Sequence, residues 1–431
     1  MAVPRRDVSS WISGMSLQTC VMKFGFLLLG AFWVGQATAV EWPEFRGPGA
    51  QGVVTAKEVP VKLDFEKDVV WKTAIPGKGW SSPVMSNGLI VVTTAVKTDQ
   101  VELRAMAVDA QTGKVVWEEK IFEPSAEEAG TIHSKNSLAS SSALIVEGTV
   151  YVHFGHMGTA ALDLKSGKVK WRYHETYGAM HGNGGSPVLV DGVLIFSADG
   201  ADEGLLRGLD AKMGKLKWEI NRKQEVSRTF SFGTPLVVEV DGEAQVVSQG
   251  SGMVGGYRAG DGKLLWWVDY GEGYSVVPRP IYAEGRVYVT TGFGRANLLA
   301  IRLKGAKGDV TKSHVEWSSN KDVPKTPSMV LTGNEIYMVD DTGRLSGLDR
   351  KTGERLWRET YKRKVSASLT LVGNRLYAFT EEGQGFVHEV SREGAKELAM
   401  NEFGEPVFAS PIVFDGAIIV RSEKWLWRFG K

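Results

Sequence analysis

The stretch Ala161-Leu162-Asp163-Leu164-Lys165-Ser166-Gly167-Lys168-Val169-Lys170-Trp171 sets the organisation of this chain, because near-copies of it recur. Copies end at Trp117 (with Asp109 and Gly113), Trp218 (Asp210, Gly214) and Trp357 (Asp349, Gly353), each with Asp eight and Gly four residues before the Trp. Trp266 keeps Gly262 but carries Arg258 at the Asp position, and Trp317 is counted with the series. The phrase reads as strand, tight turn, strand. Asp can accept bonds from neighbouring N–H groups, and Gly supplies the positive φ that the turn needs. The Trp then presents a large apolar plate at the same place in every copy. A single unit of this kind cannot bury its own faces, so the copies must stack.

A second marker falls between the Trp phrases: a small residue, often beside Pro, a short alternating apolar run, and a two-residue turn. The turns are Asn87-Gly88, Glu147-Gly148, Asp191-Gly192, Asp241-Gly242, Glu284-Gly285, Gly333-Asn334, Gly373-Asn374 and Asp415-Gly416. Flanked by β-branched and aromatic runs, they are hairpin signals. There are eight. Removing an amino-terminal leader of 39 residues from 431 leaves 392, or 49 per unit, which is the period of four-stranded propeller blades. The predicted fold is therefore all-β: an eight-bladed β-propeller of four-stranded antiparallel blades. The last repeat ends one strand short, and the isolated strand around Trp71 has no repeat before it. That N-terminal strand is expected to complete the C-terminal blade and close the ring, leaving only short strand edges.

The leader reads as a secretory signal: Lys23, an apolar core over 24–34, and Ala37-Thr38-Ala39 as the cleavage site, with Met22 an alternative start. Residues 40–68 are expected to be an extension packing on the propeller, and 69–431 to be the propeller itself. Cleavage removes Arg5, Arg6, Lys23 and Asp7, so the net charge goes from +1 to 1 − 2 = −1. Such a balance gives no footprint for nucleic acid. The one cysteine, Cys20, precedes the apolar core, which argues against lipidation and leaves the exported chain without thiols. The apolar run is too short for a membrane anchor. A soluble, periplasmic or extracellular monomer is expected.

The phrase Ala-x-Asp-x-x-x-Gly-x-x-x-Trp, with its Ser-Pro strands and Asp-Gly hairpins, resembles the repeat of PQQ-like propellers, which include quinoprotein dehydrogenases and an outer-membrane assembly factor. The opening Trp42-Pro43-Glu44-Phe45-Arg46-Gly47-Pro48 and the stretch His133-Ser134-Lys135-Asn136-Ser137 look like exported bacterial members. For the dehydrogenases the resemblance implies pyrroloquinoline quinone and calcium in the channel, commonly against a disulfide between neighbouring cysteines. A mature chain without cysteine departs from that pattern.

In an up-and-down blade, interblade connections and the loops between second and third strands emerge on one face, so polar residues there should converge on one channel mouth. The candidates for ligand contact are His133, Asn136, His156, His181, Asn183, Arg228, Tyr274, Arg279 and Arg295, with Lys135, Asp199, Asp202, Glu203, Asp340, Asp341, Glu381 and Glu382 on the same side. His153 and His156 point to opposite faces of a regular strand and make a poor metal pair. The loop 199–204 lacks the spacing of an EF-hand, and the glycines of 250–256 enter a strand, so they form no phosphate cradle. Neither a Gly-x-Ser-x-Gly elbow nor an HExxH helix occurs. These readings favour a non-catalytic scaffold without a cofactor, binding an envelope protein, a peptide or a polysaccharide. The alternatives are a quinone- and calcium-dependent dehydrogenase, or a hydrolase or lyase that uses paired carboxylates on sugars.

Overall fold

A computed structural model describes residues 41–430 except 56–58, 175 and 223–224; the expected signal segment and Cys20 lie outside the described residues. Eight antiparallel blades follow one another along the chain, over 84–122, 144–173, 188–221, 236–269, 281–319, 330–360, 370–402 and 412–429. The eighth supplies three strands, and its fourth is Val69–Ala74, which pairs antiparallel with Trp425–Phe429. The ring thus closes through the N-terminal strand.

The hairpin turns have the backbone that their residues demand. Asn87, Glu147, Asp191, Asp241, Glu284 and Asp415 and the glycine after each all have positive φ, as type I′ requires. In Gly333-Asn334 and Gly373-Asn374 only the leading glycine does, the pattern of type II′.

Each Trp plate turns out to be a dock onto the next blade. The indole N–H of Trp71, Trp117, Trp171, Trp218, Trp317 and Trp357 donates to the carbonyls of Ala110, Leu164, Ala211, Ala259, Arg350 and Ser391, respectively, at 2.8–3.1 Å. In five of these docks the ring lies on the motif glycine of the neighbouring blade: Trp71 on Gly113, Trp117 on Gly167, Trp171 on Gly214, Trp218 on Gly262 and Trp317 on Gly353. The glycine therefore serves two ends, a φ near +71° and room for the ring. The motif Asp caps the turn: Asp109 accepts from the N–H groups of Gln111 and Thr112, and Asp349 from those of Lys351 and Thr352. The Thr112 hydroxyl and those amides hold the Asp109 carboxyl below the usual range. Burying an indole plate of this kind is worth roughly 4–6 kcal/mol before entropy costs. Trp266 is the exception. Blade five carries no Asp-x-x-x-Gly phrase, and Trp266 instead bonds Gln245 at 2.9 Å under a short parallel strand, Gly308–Asp309.

The core sits between blades. One cluster, for example, joins Val84, Val91, Leu103, Ala105 and Trp117 of the first blade to Ile145, Val150, Val152, Ala160 and Leu162 of the second.

Candidate functional site

The innermost strands begin with a small hydroxyl residue, and the eightfold ring makes these residues neighbours. The backbone N–H of Ser82, Ser142, Ser186, Ser328, Ser368 and Ser410 each donates to the hydroxyl of the next blade (Ser142, Ser186, Thr234, Ser368, Ser410 and Ser82) at 2.9 Å. Arg279 N–H donates to Ser328 Oγ at the same distance. Seven such bonds encircle the channel, and each satisfies a buried amide that would otherwise cost stability. The link from Thr234 is missing because blade five has Arg279 where the others have Ser or Thr. The guanidinium of Arg279 instead donates to Pro235 O at 3.0 Å, to Phe45 O at 2.6 Å and to the Glu44 carboxylate at 2.8 Å.

Those last contacts hold a segment that crosses the tight-turn end of the channel. Trp42 exchanges two backbone bonds with Met85 of the first blade, and Pro43 O accepts from Ile145 of the second. Arg46 donates to the carbonyls of Met329 and Leu369 of blades six and seven, and Val53–Val54 runs parallel to Leu371 and Val372. Burial, with the charge of Arg279, lowers the Arg46 guanidinium to about 9, still a cation at neutral pH. Gly47 admits this path because a Cβ there would meet the Trp42 ring at 2.5 Å.

Above Phe45 and the hydroxyl ring lies a cavity of about 680 Å³ that opens on the loop face. Its wall carries an arc of rings from successive connections: His133 to His181 at 5.7 Å, His181 to Phe230 at 5.3 Å, Phe230 to Tyr274 at 5.7 Å and Tyr274 to Phe293 at 6.3 Å. Trp80 and Phe408, stacked at 4.4 Å, also line it. Two cations lie over rings of this wall, Arg228 at 4.3 Å from the Tyr274 ring centre and Lys325 at 5.2 Å from that of Phe293. The cavity is preformed. His181 and Ser275 hold left-handed φ of 64° and 49°, a strained state for non-glycine residues that their surroundings must fix. His181 O accepts from Asn136 Nδ2 at 2.9 Å and from His133 N–H at 3.3 Å, and Ser275 N–H donates to Phe230 O at 3.0 Å. Partial burial, with His133 and Arg228 beside it, keeps the His181 imidazole below its ordinary value and so neutral at pH 7.

The mouth is spanned by the connection between blades one and two. Lys135 Nζ reaches Glu381 at 2.8 Å and Asp341 at 3.8 Å, from blades seven and six. Both carboxylates have further donors: Thr326 Oγ1 and Lys325 N–H on Asp341, Ser366 Oγ on Glu381.

Of the nine candidate contact residues, His133, Asn136, His181, Arg228 and Tyr274 line this cavity, as do Lys135 and Asp341. The other four stand elsewhere. Asn183 is buried and donates to Ser141 Oγ at 2.6 Å. His156 is buried, meets Glu128 O at 2.7 Å, and borders a smaller cavity of about 440 Å³ beside the short helix Ala126–Ala129. Arg279 is 1% exposed and anchors the crossing segment. Arg295 is exposed and does not line the cavity. Asp199 pairs with Arg222 at 2.9 Å, both side chains fully enclosed, so it too is removed from the mouth. Reading the sequence missed Phe230, Phe293, Lys325 and the hydroxyl ring. The small residue before each inner strand was the available signal for the last.

Among the described residues no three His, Cys, Asp or Glu side chains could hold a metal ion, and the two carboxylates at the mouth are committed to Lys135, Thr326 and Ser366.

The repeat is shared with known proteins. The model of the PQQ-repeat family described as Outer membrane protein assembly factor BamB matches residues 48–183, 176–359 and 341–429. The chain belongs to this family. A relative from Yersinia pestis, named Outer membrane protein assembly factor BamB, is 23% identical over 386 residues, covering 86% of this chain and 91% of that protein. Among solved structures, BamB from Moraxella catarrhalis superposes with TM-score 0.62 at 12% identity, over 84% of this chain and 97% of that one. A europium-containing methanol dehydrogenase superposes with TM-score 0.72 at 9% identity, over 92% and 99%. At these identities the two structures share the fold with this chain.

Proposed function

We propose that this chain is a non-catalytic binding propeller of the cell envelope, taking a protein or peptide partner on its loop face. The observation that carries the reading is the preformed aromatic cavity at the channel mouth, with Arg228 and Lys325 on its wall. Rigid rings and accessible cations are the side chains that anchor protein partners. The carboxylates beside it are already tied to donors, which suits recognition better than acid–base work on sugars. The name of the relatives, an assembly factor of outer membrane proteins, favours an envelope protein over a polysaccharide. Export by the N-terminal signal would bring the mature, non-lipidated chain to that compartment. Among the described residues no helix is long and apolar enough to cross a membrane.

Affinity capture from an envelope extract tests the proposal, comparing the mature chain with Arg228→Ala and Tyr274→Ala. Recovery of the bound protein should fall at least fivefold in both variants, with unchanged far-UV circular dichroism. Equal recovery from all three would refute the cavity as the binding face.

A further inference from the structure

The shape and charge of this cavity narrow what can enter it. Resting on the function proposed above, we infer that the cup receives the free carboxyl terminus of a partner polypeptide, with an apolar final side chain against the aromatic arc.

The argument begins with closure. The segment 41–54 runs across the tight-turn end of the channel, tied to blades one, two, five, six and seven, and Phe45 lines the cavity from that side. A chain therefore cannot thread through; it must either turn back inside or end there. A volume of about 680 Å³ is that of an ordinary small-ligand pocket, room for a few residues and too little for a returning hairpin with its side chains.

Charge then selects which end. Among the described residues Arg228 and Lys325 form no ion pair, although most arginines of the loop face and blades do. Each lies on a ring face, which orients the cation and leaves its donors available. Lys135, by contrast, is spent on Glu381 and Asp341; one net negative charge remains on that trio, but its carboxylate oxygens are already occupied by Lys135, Thr326, Ser366 and the Lys325 amide, whereas among the described residues the two cations over the rings have no such partners. A carboxylate is the group that the fork of Arg228 can take bidentately, and capture of a chain end is an established mode of peptide recognition. The residues behind it meet Phe230, Phe232, Trp80 and Phe408, surfaces for an apolar side chain.

The test uses two peptide pools randomised over their last four positions, identical except that one ends in a free acid and the other in an amide. Each is passed over the immobilised mature chain, and bound peptides are quantified by mass spectrometry. The acid pool should be recovered about tenfold more than the amide pool, with apolar final residues enriched. Arg228→Gln and Lys325→Gln, both at accessible positions, should remove that preference without changing the melting temperature. Equal recovery of acid and amide would overturn the inference. So would displacement of the acid pool by N-acetylphenylalanine at the concentration of the peptides, because the occupant would then be a small acid. If neither pool binds while Arg228→Ala still abolishes capture of the envelope partner, terminal recognition is refuted and the binding face stands.

Discussion

Replacing Gly214 by Ala should isolate the energy of one interblade dock. Gly214 has φ +71°, and a Cβ there would come within 2.5 Å of Cδ2 and Cε3 of Trp171, in the blade before it. Gly192, the hairpin glycine of the same blade, has φ +70° and nothing within 4 Å of such a Cβ, so it reports backbone strain alone. A left-handed Ala costs about 1–2 kcal/mol, offset by about 0.4–1 kcal/mol through the stiffer unfolded chain, which leaves about 1 kcal/mol for Gly192→Ala. Gly214→Ala adds the overpacking of a rigid ring, a further ~1–3 kcal/mol, and disturbs the indole bond to Ala211. Its total is then about 2–4 kcal/mol. Trp171→Ala removes the plate, so Gly214→Ala in that background should fall back to about 1 kcal/mol, a coupling of ~1–3 kcal/mol. Urea unfolding of the mature chain followed by far-UV circular dichroism measures all five proteins, and equal slopes permit the comparison. If Gly214→Ala costs no more than Gly192→Ala, or the double mutant shows no coupling, the dual role assigned to the motif glycine is wrong.

Other consequences follow from the ring, the crossing segment and the buried imidazoles. Ser368→Ala removes the acceptor of the Ser328 amide, and leaving that buried donor unpaired should cost about 1–3 kcal/mol in urea unfolding. Arg279→Ala deletes three bonds, two of them to Glu44 and Phe45, so trypsin should cut after Arg46 several times faster while the blades stay intact, as judged by mass spectrometry of the fragments. Burial lowers His153 to about 3 and His388 to about 4, against an ordinary 6.5. Because the folded pKa is depressed, stability is fully present above pH 6.5 and is lost as pH falls towards these values. Between pH 7.5 and 5 each imidazole should withdraw about 2 kcal/mol, and His388→Phe should flatten its share of the profile in urea titrations at several pH values.

Local chemistry made the fold legible. The Asp and Gly of each phrase state a turn whatever surrounds them, and six hairpins carry the Asx-Gly or Glu-Gly pairs that type I′ needs. The odd phrase at Arg258 still keeps its docking glycine, since Gly262 receives the Trp218 ring; it is the missing phrase of blade five that leaves Trp266 to bond Gln245. The site was legible only in part. Connections on the loop face could be placed by strand order, and that brought His133, Asn136, His181, Arg228 and Tyr274 to one cavity. Whether a side chain then turns to the channel or into the wall depends on local backbone, and Asn183, under Gly155, and His156, under Glu128 O, went into the wall. Arg279 looks like a rim cation in the sequence because the segment it grips lies 235 residues earlier. The serines were invisible as a ring for a similar reason: each is ordinary alone, and its acceptor lies one blade away.

The first blade strand to be made, Val69–Ala74, is paired with the last, Trp425–Phe429. During synthesis it has no mate until the whole remainder exists, so the molecule is finished only when its beginning is retrieved. The entropy of closing so long a loop grows slowly with length, but a pairing between such distant parts of the chain is slow to form. Loss of the Trp425–Phe429 strand would leave Val69–Ala74 without its hydrogen-bonding mate, so closure of the ring is a built-in check that the eighth sheet is in place.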